Sequence, residues 1–274
     1  MGKVCILMVS HNNPEITNNL CEKIIQTTKE VEYDLHVIET GSSLEKLSNF
    51  TTLWVKDGCR MTRGFNLLKK YADTVNEYKN LERYDAYLLF VNDAVYIDDR
   101  DLISSLYKSM KSLPDCGQIH PYQSNVTNLH RKLTKITNNT IRKESFAEIV
   151  CPMISAKAWD ACGENLLDNR FFYGWGLDYD IPHQLNLNGY RTYISDDVGI
   201  YHKPFTSYIN RHITNEAHTV NSFVDAARKN MIEVLINKYG NNWAHLMVNS
   251  IPEDVSKEAL YNWLFTNDGY RGKE

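Results

Sequence analysis

Acids that close apolar runs, and a pair of acids that follow a glycine-flanked tryptophan, stand where this sequence could do chemistry. The run AYLLFV, residues 86–91, is followed directly by Asn92 and Asp93. The five apolar residues from Tyr87 to Val91 are too few for an ordinary helix and read as a strand buried on both faces. In an open α/β sheet the carboxyl ends of the strands form the ligand edge, and a carboxylate there is well placed to hold a cation that in turn holds a phosphate. The run YDLHVIE closes on Glu39, and Thr40-Gly41-Ser42-Ser43 follow it, where glycine permits a sharp turn. In FFYGWGLDYD, Gly174 and Gly176 flank Trp175, so the backbone is free to bend around a large aromatic. Asp178 and Asp180 then lie at a helix start, where both favour the positive end of the dipole. In VGIYHKP, His202 follows a short strand. Each group also has a plainer reading: a turn for Asn92 and Asp93, a helix cap for Asp178, an ordinary surface or core histidine for His202.

The elements that must position these residues follow from the apolar pattern. Lys3 to Ser10 is apolar throughout and predicts a central parallel strand, broken by His11-Asn12-Asn13-Pro14. Pro14, Glu15 and the spacing Ile16, Leu20, Ile24 predict the helix that follows. Further strands are expected at Tyr33 to Ile38, Thr52 to Val55, Ala86 onward, Cys116 to Pro121, Ala147 to Ile154, Tyr190 to Ile194 and Gly199 to His202. Helices are expected at Met61 to Tyr71, Asp101 to Leu113, Ala156 to Cys162, from Asp178 through Leu187, Asn221 to Tyr239 and Glu253 to Phe265. The order is that of an α/β fold with a doubly wound sheet. Residues 1–205 form the expected main domain and 206–274 a helical appendage. Between Asn125 and Glu144 the chain is polar, with Arg131, Lys132, Lys135, Arg142 and Lys143, and reads as a solvated loop or as a flap that meets an anionic ligand.

Composition bounds the rest. The chain has 274 residues, 43% of them hydrophobic, and a net charge of −4, which gives no global attraction to nucleic acid or an anionic membrane. The apolar run near the N-terminus is shorter than a signal-peptide core and no run reaches membrane-spanning length, so a cytoplasmic location is expected. The six cysteines show no CxxC pair and read as buried thiols of a reducing compartment.

Taken in order, several of these stretches resemble a GT-A glycosyltransferase of the broad inverting group that uses nucleotide-diphosphate sugars. VCILMVSHNNPE is similar to that family's first strand and the loop that lines the nucleotide, which includes His11. VIETGSS resembles its strand ending in an acid, with Glu39 where the family contacts the base or ribose. RGFNLLKKYA resembles the helix after the third strand, with Arg63 and Asn66 on the nucleotide side. LLFVNDAV resembles the strand that bears the Asp-x-Asp metal motif; Val91-Asn92-Asp93 fall on it, and the last acid alone is retained. GWGLDYD resembles the acidic acceptor-site motif, with Asp178 at the catalytic base, and VGIYHKP the late strand whose histidine completes the metal site.

The resemblance implies a GT-A, Rossmann-like mixed sheet flanked by helices, and transfer of a sugar from a nucleotide-diphosphate donor, expected to be UDP-linked, to an acceptor hydroxyl with inversion. Asp178 is the implied general base, Asp93 and His202 the implied ligands of Mn²⁺ or Mg²⁺, and His11, Glu39, Arg63, Asn66, Asn92 and Trp175 the implied donor-site residues. The expected acceptor is a glycan or other hydroxyl compound. A hydroxymethylated DNA base and a non-catalytic nucleotide-sugar-binding module are the alternatives.

Overall fold

A computed structural model describes residues 2–126, 128–137, 140–164, 166–202 and 220–265. Four parallel strands carry the first half: β1 (Lys3–Ser10), β2 (Glu32–Thr40), β3 (Thr51–Val55) and β4 (Ala86–Val91), paired in the order β3-β2-β1-β4. β1 is buried from Val4 to Ser10 because it is flanked by strands on both edges and covered on both faces, as its unbroken apolar run predicts. On its two faces lie α1 (Pro14–Thr27), which turns Leu20, Cys21 and Ile24 inward, and α2 (Arg60–Tyr78), which turns Phe65, Leu68 and Ala72 inward. Since the four strands run the same way, Ser10, Thr40, Val55 and Val91 all end at one edge.

The second half continues the sheet with β5 (Ala94–Tyr96), β6 (Cys116–Gln123), β7 (Ile141–Glu144), β8 (Met153–Ser155) and β9 (Arg191–His202). β8 runs antiparallel between β4 and β6, β9 is parallel to β6, and β5 and β7 lie antiparallel against β9. The sheet is therefore mixed, with helices α3 (Leu102–Ser112), α4 (Ala156–Cys162) and α5 (Leu177–Leu187) beside it. Next among the described residues come α6 (Val220–Tyr239), α7 (Trp243–Val248) and α8 (Lys257–Phe265). Met231, Val234, Leu235, Met247 and Leu260 of these helices belong to the same core cluster as Leu7, Phe65 and Ile154 of the sheet side.

Several expectations need correction. Ala147 to Ile154 is buried but forms a ladder strand over Met153–Ser155 alone; upstream of it, Val150 and Pro152 offer isolated carbonyls to β4. Tyr190 to Ile194 and Gly199 to His202 are not two strands but parts of β9, whose register on β6 shifts between Pro121 and Tyr122. The polar stretch between Asn125 and Glu144 is not a free loop: it holds a 3-10 helix at Asn128–Leu133 and strand β7, and Arg142 pairs with the buried Asp196 at 3.1 Å. Lys135 sits over the Tyr122 ring and Arg131 pairs with Asp254, so these members of the basic cluster, with Arg142, are engaged by the protein's own groups.

Candidate active site

The pairing of β5 with β9 sets Ala94 opposite His202, which brings Asp93, at the turn after β4, against the end of β9. Oδ1 of Asp93 stands 3.3 Å from Nε2 of His202. Asp93 is buried, whereas the His202 side chain is 33% exposed. Asn125 clamps the His202 backbone in both directions, donating from Nδ2 to its carbonyl at 2.6 Å and accepting its N–H at 2.9 Å.

Asp178 enters from the other side, on α5. Gly176 precedes it with φ of +96°, and a Cβ there would lie 2.6 Å from the Phe171 ring, so both conformation and space require glycine. Oδ1 of Asp178 accepts the N–H of Ile149 at 2.7 Å. Pro182 adds a second tie: it has no N–H to give back to residue 178, and the Asp178 carbonyl is left to accept from Ala147 at 3.5 Å. The plain reading of Asp178 as a side-chain helix cap does not hold, since Gly176 is the capping residue and no side chain caps it.

Between those two amides projects Glu148, which the sequence reading did not single out. Its Oε1 accepts from Nδ1 of His130 at 2.6 Å, and its Oε2 lies 3.9 Å from Nδ1 of His202. His130 in turn packs its ring on Phe146, with centroids 4.7 Å apart. A chain of alternating acid and imidazole thus runs from Asp93 through His202 and Glu148 to His130. His120, fully buried beneath, donates from Nδ1 to the Pro121 carbonyl, and burial lowers it to about 4, so it is neutral. The signal that could have found Glu148 and His130 is weak: a lone acid in an apolar run and a lone histidine in a polar one.

The charges in this cluster pull the carboxyls apart. Removal from water, followed by the charge of Glu148, pushes Asp178 up to about 7. Burial acts on Glu148 in the same direction, but the hydrogen bond and charge of His130, then His202 and His120, outweigh it and bring Glu148 down to about 2. For His202, burial opposes the charged form, and Asp93 and then Glu148 more than reverse this, so it is raised. Two acids whose environments separate their proton affinities in this way are a common mark of acid and base roles.

Asp93 and His202 fit a divalent cation. Adjacent corners of an octahedron with bonds of about 2.1–2.2 Å are about 3 Å apart, and these two ligand atoms lie at 3.3 Å. Among the described residues no group of three or more histidine, cysteine, aspartate or glutamate side chains is placed to hold a metal ion, so a cation between Asp93 and His202 would have these two as its protein ligands. Such a cation would have corners open for phosphate oxygens and water.

The donor-site residues are placed as follows. His11 donates from Nδ1 to the Thr40 carbonyl at 2.6 Å and receives Asn12 Nδ2 at 3.3 Å, which fixes its ring beside the Gly41 turn. Glu39 is fully buried: Oε2 accepts from Ser42 Oγ at 2.6 Å and Oε1 from the Ser48 amide at 3.2 Å. Asn92 donates to Ser10 and Thr17, tying β4 to β1 and α1. Asn66 turns toward the 167–169 segment, donating to the Leu167 carbonyl at 2.7 Å, and Arg63 is exposed on α2. Trp175 is half-buried against the core. Asp93, Asp178 and His202 thus converge around Glu148, whereas Glu39, Asn66 and Asn92 use their polar atoms on the protein itself.

No family model and no curated protein matches the sequence. Solved structures do match the fold. A mannosyltransferase, PcManGT from Pyrobaculum calidifontis in complex with GDP-Man and Mn²⁺, superposes with a TM-score of 0.55 at 10% identity, over 86% of this chain and 63% of that one. The chain has the GT-A fold. A second GT-A structure, GalNAc-T7 with UDP, GalNAc and Mn²⁺, gives a TM-score of 0.54 at 10% identity over 88% of this chain and 50% of its own length. The chain therefore spans about two thirds and one half of these two neighbours.

Proposed function

We propose that the chain is a glycosyltransferase that moves a sugar from a nucleotide-diphosphate donor to an acceptor hydroxyl, with inversion. The observation that carries this reading is the meeting of Asp93 and His202 at the carboxyl edge of a GT-A sheet, with Asp178 seated on the adjoining backbone. Both structural neighbours were solved with a nucleotide or nucleotide sugar and Mn²⁺, which supports the same ligand class here.

Asp93 and His202 would hold the cation, Mn²⁺ or Mg²⁺, and when bound it offsets the charge that develops on the leaving diphosphate. Asp178 takes the proton of the acceptor hydroxyl as that oxygen attacks the anomeric carbon from the face opposite the diphosphate. A carboxyl near 7 is close to the optimum for that task at neutral pH. His11 lines the donor side at the end of β1, and Trp175 offers an aromatic face to the sugar ring. Arg63 is an exposed cation of α2 and is assigned to the donor side by the resemblance. Glu39 and Asn92 serve by fixing the loops after β2 and β4, and Asn66 by holding the 167–169 segment.

A glycan or other small hydroxyl acceptor is favoured over DNA, because Arg131 and Arg142 of the basic stretch are neutralised by Asp254 and Asp196. The donor base, UDP or GDP, is set by a panel. Incubation with nucleotide sugars and Mn²⁺ is expected to release nucleoside diphosphate by transfer or hydrolysis, and D178N to lower the transfer rate by at least about 10²-fold. Undiminished transfer in D178N would remove Asp178 as the base.

A further inference from the structure

We infer that Glu148 is a positioning residue that aims His202 at the cation. This rests on the reading of Asp93 and His202 as the cation's ligands. A histidine that ligates through Nε2 must carry its proton on Nδ1, and a carboxylate facing Nδ1 favours that tautomer and orients the ring. Nε2 of His202 faces Asp93 and Nδ1 faces Oε2 of Glu148, so the two acids address opposite nitrogens of one ring.

Glu148 is held firmly enough for that task. Its other oxygen accepts from His130 at 2.6 Å, and the His130 ring is braced on Phe146. The peptide groups on either side of it are bonded to Asp178, through Ile149 to the carboxylate and through Ala147 to the carbonyl. One short segment, Ala147 to Ile149, therefore seats the acceptor base with its backbone and aims the cation's histidine with its side chain. The competing account is that Glu148 is a structural partner of His130 with no bearing on the cation.

Mn²⁺ binding to the full chain, followed by EPR without nucleotide, separates the two. Wild type is expected to bind Mn²⁺ with ¹⁴N modulation from a histidine ligand, and H202A to show none. E148Q, which keeps shape and removes charge, is expected to weaken Mn²⁺ by about 10–100-fold and to lose or diminish the ¹⁴N modulation. Mn²⁺ affinity within twofold of wild type in E148Q, or weakened binding with the modulation intact, overturns the positioning role while leaving the cation site standing. Failure of the wild-type chain to bind Mn²⁺ overturns both. Should E148Q melt below the assay temperature, E148D takes its place: it keeps the charge, draws the carboxylate back by one methylene, and carries the same two expectations.

Discussion

Asp178 is the residue at which the account is most exposed, because one environment sets both its activity and its effect on stability. The folded protein holds its proton up to about pH 7, whereas the unfolded chain releases it near 3.8. The stability this provides is complete below the unfolded value and is lost as pH rises through the folded one. At pH 8 the ionised carboxylate is therefore destabilising, and D178N, which can still accept from Ile149, is expected to melt higher than wild type by an amount on the order of 2–4 kcal/mol. The gap should close as pH falls toward 4, and denaturant unfolding at several pH values measures it. Equal stability at pH 8 would show that the carboxyl is not perturbed. The activity profile carries the same signature, with kcat/KM climbing below about pH 7 as Asp178 ionises. The element ends that carry Asp178, Asp93 and His202 were legible in the sequence because the local pattern reveals where each strand or helix begins or stops, whereas the roles proposed for them came from the resemblance. Glu148 and His130 were not, since their meaning arises from a contact between segments 18 residues apart that neither segment predicts.

At the scale of elements, α5 and α6 are joined by a buried ionic cluster. Asp180, fully buried, accepts from Lys238 at 2.8 Å, from Gln184 at 2.6 Å and from the Tyr239 hydroxyl, and Lys238 also lies 3.5 Å from Asp168. The cluster matters for the site because Asp180 is on the same turn of α5 as Asp178. K238M leaves two acids without that ammonium and is expected to destabilise by about 3 kcal/mol, lowering the melting temperature by several degrees in calorimetry. A shift within error would mean that Arg170, which pairs with Asp168 at 2.7 Å, and Tyr239 compensate in full. The strand and helix pattern of the first half was readable because its parallel strands are continuously apolar and its helices are amphipathic. The second half was harder: β7 is a polar four-residue strand, and the buried segment before β8 has a strand's composition without its ladder. Pairing across the chain, absent from local sequence, decided both.

Over the whole molecule, the helices after 220 share the core of the sheet and are not laid on its outside. Phe171 is walled by Gly176, and a side chain on Gly176 would also meet Met231 of α6. Leu235, Met247 and Leu260 are each almost fully buried in the main cluster. We propose that residues 1–205 do not fold without the remainder: a chain truncated at 205 is expected to lose cooperative unfolding and expose apolar surface, which calorimetry and dye binding would detect. A sharp, reversible transition in that fragment would instead support two units. No helix among the described residues is long and apolar enough to cross a membrane. The GT-A sheet was legible from the order of strand-end motifs, and the apolar stripe of the terminal helices implied packing against the core, whereas the place they pack was not legible, because an apolar stripe on a helix does not say which surface it will cover. A crystal soaked with UDP or GDP and Mn²⁺ shows whether Asp93 and His202 hold a cation for a nucleoside diphosphate. The expected result is an anomalous manganese peak about 2.2 Å from the Asp93 carboxylate and from His202 Nε2, with diphosphate oxygens on its open side. Nucleotide bound at this edge with no manganese between those two residues, or bound elsewhere, would contradict it.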